Sequence, residues 1–540
     1  MQLVDSVVAK AFLARTLVEA GIVRPGRPDR LVGAASALSK WGPTPAAGYG
    51  ASAARYPDAL AIVDELGSLT FSEVDDRTTR LANALSDAGV GEGDAVAILC
   101  RNHRWFIESV VACSKLGAHA LFLNTMFAGP QITDVCEREA PVAVIHDSEF
   151  TALCDGAGEG RMRFIAWDDD DGAAAFPTLD ELIAHGDDSA LEPPDEAGRI
   201  VILTSGTTGT PKGATRKQPD NLEPAAALFS KIPLRARQTT MIAAPMFHSW
   251  GFAHFTLGMA LSSTLVLRRR FDPEGTLQAL STYRATVLAV VPVMLQRIME
   301  IDASVLARYR TPSLRVIAAS GSALPGELAL GVMDHFGDVL YNLYGSTEVA
   351  WATIATPADL RIAPGTAGRP PFGTVVRLLD ERGRDVPQGM TGRIFVTNGM
   401  LFDGYTGGGG KEIIDGLMST GDVGHFDDGG RLFIDGRDDE MIVSGGENVF
   451  PREVEDLLHG HAEIEDVAVA GVPDADFGQR LMAWVVVREG SGLDEAGLKA
   501  YVRANLASYK VPRAFVFLPE LPRNATGKVL KRQLVDESAA

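Results

Sequence analysis

The string Thr204-Ser205-Gly206-Thr207-Thr208-Gly209-Thr210-Pro211-Lys212-Gly213 has the residue types that grip a phosphate. Small residues let the backbone come close to an anion, and successive amides and hydroxyls can donate to its oxygens. Lys212 adds a compact positive charge. The string follows the apolar run Val201-Ile202-Leu203, which reads as a strand. It is not a Walker A loop, because that motif needs Gly before its lysine and Ser or Thr after it. Pro211 and Gly213 stand there instead, so a P-loop kinase or ATPase is disfavoured. On residue types alone, a Gly/Thr-rich surface turn remains the rival reading.

Four more strings follow: Tyr344-Gly345-Ser346-Thr347-Glu348, Ser419-Thr420-Gly421-Asp422, Gly436-Arg437-Asp438-Asp439 and Leu521-Pro522-Arg523-Asn524-Ala525-Thr526-Gly527-Lys528. A carboxylate such as Asp422 can accept from two ribose hydroxyls. A hinge needs only a few residues that absorb a backbone rotation. Singly, each string reads as a solvated turn. Together, in this order, they resemble the core motifs of the adenylate-forming superfamily. That group includes acyl-CoA synthetases, peptide-synthetase adenylation domains and beetle luciferases. The likeness runs from about Tyr56 to Gln533 and is strongest to AMP-forming fatty-acyl-CoA synthetases.

The resemblance implies a nucleotide site. Ser205, Gly206, Thr207, Thr208, Gly209 and Lys212 would cradle the phosphates of ATP. Glu348, with Thr204, would hold Mg2+, and Thr347 would face the AMP phosphate. Asp422 would hold the ribose, and Arg437 would contact the nucleotide. Gly321, Asn342, Tyr344 and Gly345 complete the implied set. A carboxylate attacking a phosphate is an anion meeting an anion, so a metal and fixed donors are needed to lower the repulsion. Lys528 would be the lysine of adenylation, in a stretch that reads as an apolar–basic helix. Asp439 would be the hinge about which a small domain swings after adenylation. Val443-Ser444-Gly445-Gly446-Glu447-Asn448 would then line a tunnel for the pantetheine arm of coenzyme A, with Gly445 and Gly446 leaving a narrow slot.

Pro245-Met246-Phe247-His248-Ser249-Trp250-Gly251-Phe252 is similar to the segment that lines the family's acyl pocket, with His248, Trp250, Gly251 and Phe252 as its substrate contacts. Amino-acid-activating relatives usually place an Asp here to pair the substrate ammonium. Its absence argues for an acid with no α-amino group. His248 is grouped with Lys528 and Glu348 as catalytic, but as a gate or wall, because a carboxylate nucleophile needs no base at neutral pH. The expected reaction is ATP-dependent ligation of a medium- or long-chain fatty acid to coenzyme A through acyl-AMP. Aromatic or steroid-side-chain acids are the nearest alternatives, and delivery to an acyl carrier protein is the second enzymatic reading. Many relatives carry His six residues after the loop lysine. Here Gln218 stands there, a departure from the family's common pattern.

The elements that must hold these residues are alternating strands and helices. Ala95–Leu99, Val142–Ile145, Val201–Leu203, Thr264–Leu267 and Val316–Ala318 are short apolar runs separated by helical patterns. They predict an α/β fold with layered, mixed or largely parallel sheets and a small mobile C-terminal α+β domain. The expected division is a leading segment at 1–45, a large AMP-binding domain at 46–437 and a small domain at 438–540 carrying Lys528. The leading segment reads as a loosely amphipathic helix ended before Pro25 and Pro28, packed on the body. Gly407–Gly410 and Asp168–Asp171 read as surface loops.

Composition bounds the rest. The chain has 540 residues, 46% hydrophobic and 22% charged, with a formal net charge of −20. That acidity disfavours a general nucleic-acid binder. The four cysteines form no C-x-x-C pair, so a structural zinc site is not expected and a reducing cytoplasm fits. No apolar run is long enough to span a bilayer, and Asp5 precedes any Lys or Arg, unlike a secretory leader. The expected partners are a small carboxylic acid, ATP and coenzyme A, with room for a weak membrane-surface contact. The expected state is a monomer or homodimer in the cytoplasm.

Overall fold

The computed structural model describes residues 2–169, 175–204, 212–216, 222–438, 442–444, 447–449, 451–474, 478–506, 510–525 and 527–539. Two large sheets form the body of a large N-terminal domain. In one, Leu340–Tyr344, Val316–Ala319, Val287–Val290, Thr239–Ile242, Thr264–Leu267 and Leu60–Asp64 run parallel, with antiparallel strands Thr353–Ala355 and Gly67–Thr70 at its edges. In the other, Ile200–Thr204, His119–Phe122, Ala95–Leu99, Ala143–His146 and Met162–Ile165 are parallel. The strands Lys212–Thr215 and Gly404–Tyr405 extend it antiparallel at one edge. The parallel strands are continuous apolar runs because both faces are buried. Val287, Leu288, Ala289 and Val290 are each no more than 1% exposed.

A third sheet of Val375–Leu379, Gly392–Thr397, Leu417–Phe426, Ile413–Ile414 and Leu432–Arg437 is antiparallel throughout. Tight turns join its neighbours, which parallel pairing cannot allow. Asp415 and Gly416, at φ 50° and 78°, make one such two-residue turn. Asp422 and Arg437 both lie inside this sheet, on paired strands. The next strand, Ile442–Ser444, belongs to a different and smaller sheet.

That smaller sheet pairs Ile464–Asp474 with Gly478–Val487 and adds Ala514–Phe517 in parallel. The helices Pro451–His459 and Glu495–Asn505 cover one face, burying Val454, Leu458, Leu498 and Val502 against Val467 and Val485. Trp484, Leu521 and Leu534 fill the other face.

The leading segment holds two helices, Gln2–Ala20 and Pro28–Trp41, and a third, Pro45–Arg55, follows at its end. Proline opens the last two at their first turn, where its missing N–H costs nothing. Ala20 joins the large core, and Phe12 stacks on Phe372 at 3.8 Å. No helix among the described residues is long and apolar enough to cross a membrane.

Candidate active site

The phosphate string sits between two antiparallel strands. Thr204 is the register partner of Lys212, so the two ends of the string lie side by side on antiparallel strands. Ser205, Gly206, Thr207, Thr208 and Gly209 lie outside the described residues, as do Gln218, Asp439, Gly445 and Gly446. So do the side chains of Thr204 and Ser444. Two hydrogen bonds tie the end of the string to Thr406. Gly213 N donates to Thr406 Oγ1 at 3.2 Å, and Thr406 N returns a bond to Gly213 O at 2.8 Å. Lys212 Nζ stands 5.6 Å from the centre of the Tyr405 ring.

Tyr405 then connects this edge to the second motif. Its hydroxyl donates to Glu348 Oε1 at 2.7 Å, and burial together with Glu348 pushes the phenol pKa up. Glu348 is 8% exposed and lines the cavity. Its carboxylate oxygens are hard donors of the kind magnesium takes, so the position fits the metal that the resemblance implies. Thr347 Oγ1 lies 3.0 Å from Ser249 Oγ, at the start of the helix Ser249–Ala260. Arg216 Nη2 donates to Thr347 O at 2.6 Å, while its Nε is buried without a partner. Burial pushes the Arg216 guanidinium down to about 10, and Glu348 and Asp403 partly restore it.

The ribose candidate stands on the third sheet. Asp422 and Arg437 are register partners on neighbouring strands, with Nε 3.6 Å from Oδ1. Tyr344 Oη donates to Asp422 Oδ2 at 2.6 Å. Burial raises the Asp422 carboxyl above its ordinary value. The Tyr344 hydrogen bond and the charges of Arg437, Lys528 and Lys411 pull it back. Asn342 is 8% exposed on the cavity wall, and its Oδ1 has no partner. It therefore offers an acceptor for a ligand N–H. Gly321 also lines the wall, at φ 97°.

Lys528 lies in the loop before the helix Lys531–Ala539, not within a helix as its apolar–basic surroundings suggest. The loop closes on itself: Lys528 N donates to Asn524 Oδ1 at 2.8 Å, and Gly527 N to Asn524 O at 2.8 Å. It also presses on the large domain. A Cβ on Gly527, at φ 78°, would come within 2.3 Å of Val293 Cγ1. Ala525 packs on the core that holds Phe106, Phe122 and Phe255. The small domain thus delivers Lys528 to the cavity that Lys212, Glu348, Asp422 and Arg437 also line.

The same cavity, about 2160 Å³ in volume, continues along an apolar wall. Trp250 Nε1 donates to Val290 O at 3.0 Å, which fixes the indole. His248 precedes the helix Ser249–Ala260. Its Nε2 is buried without a partner, and burial pushes its pKa down to about 4. It is therefore neutral near pH 7. Gly251 acts by packing: a Cβ there would meet Pro245 O at 2.2 Å, so only glycine lets the helix lie on the preceding loop. Phe252 faces Phe122 at 5.1 Å.

Residues from Trp250 to Ala260 line the cavity along the 12-residue helix, a run of about 18 Å. Gly48, Ala51 and Ser52 of the helix Pro45–Arg55 face it, and Ala34 and Leu38 of Pro28–Trp41 extend it further. These wall residues carry no motif. Tyr405, Arg216 and Lys411 also escaped the sequence reading. Lys411 ends the glycine run read as a surface loop, yet its Nζ would lie 3.5 Å from a Cβ on Gly421, beside Asp422.

Two domains meet at one cavity lined by Lys212, Glu348, Asp422 and Arg437 from the large domain and by Lys528 from the small one. The AMP-binding enzyme family matches residues 50–406, and the AMP-binding enzyme C-terminal domain matches residues 453–528. A feruloyl-CoA synthase from Amycolatopsis is 33% identical over 486 residues, covering 88% of this chain and 96% of that one. An indoleacetate–CoA ligase from Aromatoleum aromaticum is 32% identical over 502 residues, covering 90% and 95%. A structure of o-succinylbenzoate coenzyme A synthetase from Bacillus subtilis with ATP and magnesium ion is 26% identical. It superposes with a TM-score of 0.78, over 90% of this chain and 98% of that one. The chain belongs to the AMP-binding enzyme family, as an acid–thiol ligase of the AMP-forming type.

Proposed function

We propose that the chain activates an apolar monocarboxylic acid without an α-amino group as acyl-AMP and transfers the acyl group to coenzyme A. One observation carries this reading. A single cavity joins Lys212, Glu348, Asp422, Arg437 and Lys528 to an apolar wall about 18 Å long. At the ~1.3 Å advance per bond of an extended chain, that wall accommodates about 14 bonds. This length supports a medium- or long-chain fatty acid as the first reading. Aromatic acids are the second reading, favoured by the feruloyl and indoleacetate relatives.

In this reading the acid's carboxylate attacks the α-phosphate, and pyrophosphate leaves. Lys528 offsets the charge that develops between the two anions, and Lys212 with the rest of its string holds the departing phosphates. Bound Mg2+ would supply Lewis-acid charge neutralisation at the phosphates, with Glu348 and Thr204 as its holders. Tyr405 orients Glu348, and Tyr344 orients Asp422 toward the ribose. His248, Trp250 and Phe252 keep water from the mixed anhydride, with His248 serving as wall because it is neutral.

The division at 1–45, 46–437 and 438–540 with Asp439 as hinge belongs to the same proposal. It is supported by Leu432–Arg437 pairing in the third sheet while Ile442–Ser444 pairs in the small one. Swinging the small domain about this point would withdraw Lys528 and bring Ser444–Gly446 to the acyl-AMP for thiol attack.

The test is pyrophosphate release scored over straight-chain acids of increasing length, cinnamic acids and arylacetic acids, followed by thiol transfer to coenzyme A or to an acyl carrier protein. The expected result is a maximum among the longer straight-chain acids and transfer to coenzyme A. A maximum among aryl acids would establish the second reading. Release that needs no acid would overturn both.

A further inference from the structure

We infer that the helix Pro28–Trp41 and the arginine cleft at its N-terminal end dock this protein on an anionic lipid surface, with the far end of the acyl cavity facing the lipid. The delivery half of this inference rests on the ligase reading above, while the docking half does not.

The first observation is charge. Arg24, Arg27, Arg30, Arg55 and Arg237 surround a surface cleft of about 380 Å³ that no acidic residue lines. Arg27 pairs with Asp29 at 2.8 Å, and the other four form no ion pair among the described residues. Arg55 and Arg237 both lie over the Tyr56 ring, at 5.2 and 4.0 Å. Five cations gathered on a chain of net charge −20 are a local field of the opposite sign to the rest of the molecule.

The second observation is apolar exposure beside that cleft. Val23 is 59% exposed, Leu31 37%, Val32 69% and Leu38 52%. Leu31, Ala35 and Leu38 recur at helical spacing, so they share one face of Pro28–Trp41. Gly33 and Ala37 lie on the other side, close against Ala54 and Gly50 of the neighbouring helix. A helix with an apolar outer stripe and arginines at its end lies in a bilayer interface, and anionic headgroups draw the arginines there. A nucleic-acid backbone could meet the arginines but offers nothing to Val23, Val32 and Leu38.

The third observation is continuity. Ile22, Leu38 and Arg55 line the acyl cavity, and Arg55 lines the arginine cleft as well. Leu38 is thus half in solvent and half in the cavity wall. An apolar acid held in a bilayer could enter there without crossing water, a route that favours long chains over soluble ones.

The test uses the full chain and sedimentation with vesicles of phosphatidylglycerol and phosphatidylcholine, or of phosphatidylcholine alone. The variant Arg24→Glu/Arg27→Glu/Val32→Asp alters three exposed residues outside the acyl cavity. We expect the wild-type protein to pellet with the anionic vesicles, to stay in solution with the neutral ones and to be released by added salt. The variant should partition at least about tenfold less. It should keep the wild-type rate on a water-soluble short acid, which shows that it folds, and should lose rate on a long-chain acid supplied in vesicles. Wild-type protein that ignores anionic vesicles, or a folded variant that pellets equally, would overturn the docking surface. Binding of the wild type to duplex DNA in preference to the vesicles would overturn it too. None of these outcomes touches the ligase reading, which fails if pyrophosphate release does not depend on an added acid.

Discussion

Tyr344 Oη stands 2.6 Å from Asp422 Oδ2, joining the second motif to the ribose candidate across 78 residues of chain. The phenol is the donor that keeps a buried carboxylate ionised against the upward push of burial. Tyr344→Phe removes it. The raised carboxyl pKa then climbs further, so the protonated and inactive form persists to higher pH. We expect the acid limb of kcat/KM for ATP to move upward in pH, and the plateau to fall about 10- to 100-fold. A pH profile with its acid limb unmoved would contradict this.

Tyr405 Oη donates to Glu348 Oε1 at 2.7 Å and so fixes the orientation of that carboxylate. An orienting partner of a metal-holding carboxylate is worth about 10- to 100-fold in metal affinity. Tyr405→Phe should therefore raise the magnesium concentration needed for half-maximal pyrophosphate release by about tenfold or more. A magnesium titration superposing on wild type would remove Tyr405 from this role.

Gly527 is where the small domain touches Val293. Gly527→Ala brings a Cβ to 2.3 Å from Val293 Cγ1 and sets alanine at φ 78°, so the loop must retreat and take Lys528 with it. Adenylation should fall, while thioester formation from supplied acyl-AMP is kept. Adding Val293→Ala should restore part of the rate by relieving the clash alone. Lys528→Ala should reproduce the same split more strongly, losing about 10²- to 10³-fold in adenylation. Equal loss of both half-reactions in either variant would be the adverse result.

His254 is 1% exposed, its Nε2 has no partner, and burial pushes its pKa down to about 4. The folded state thus binds a proton less readily than the unfolded chain, whose histidines titrate near 6.5. Between about pH 4 and 6.5 the unfolded state takes up more protons, so stability falls as pH falls through that window and is level above it. We expect the urea midpoint to drop from pH 7 to pH 5. In His254→Phe the drop should shrink by on the order of 1–2 kcal/mol equivalent. An unchanged drop would place the pH dependence elsewhere.

The parallel strands were legible because their signal is local. Runs such as Val287 to Val290 must be apolar at every position when both sheet faces are buried. The third sheet was harder to see. Its strands mix buried with half-buried residues, a weaker local signal than an unbroken apolar run, and Asp422 and Arg437 sit on neighbouring strands within it. Lys411 was missed because a lysine after four glycines has every local mark of solvent. The expectation of a fatty acid came from likeness to one branch of the family, and the two relatives described above carry feruloyl and indoleacetate in their names.

What the chain determined by itself is the chemistry of its motifs and the class of its elements. Both are written in contiguous residues whose hydrogen-bonding groups and apolar spacing act over a turn or a strand. The donor for Asp422, the partner of Glu348 and the approach of Lys528 were decided only by the tertiary structure, and so were the cavity wall from residues 34–52 and the arginine cleft. Each joins segments separated by tens to hundreds of residues, and such meetings depend on how the sheets cross over and how the domains close.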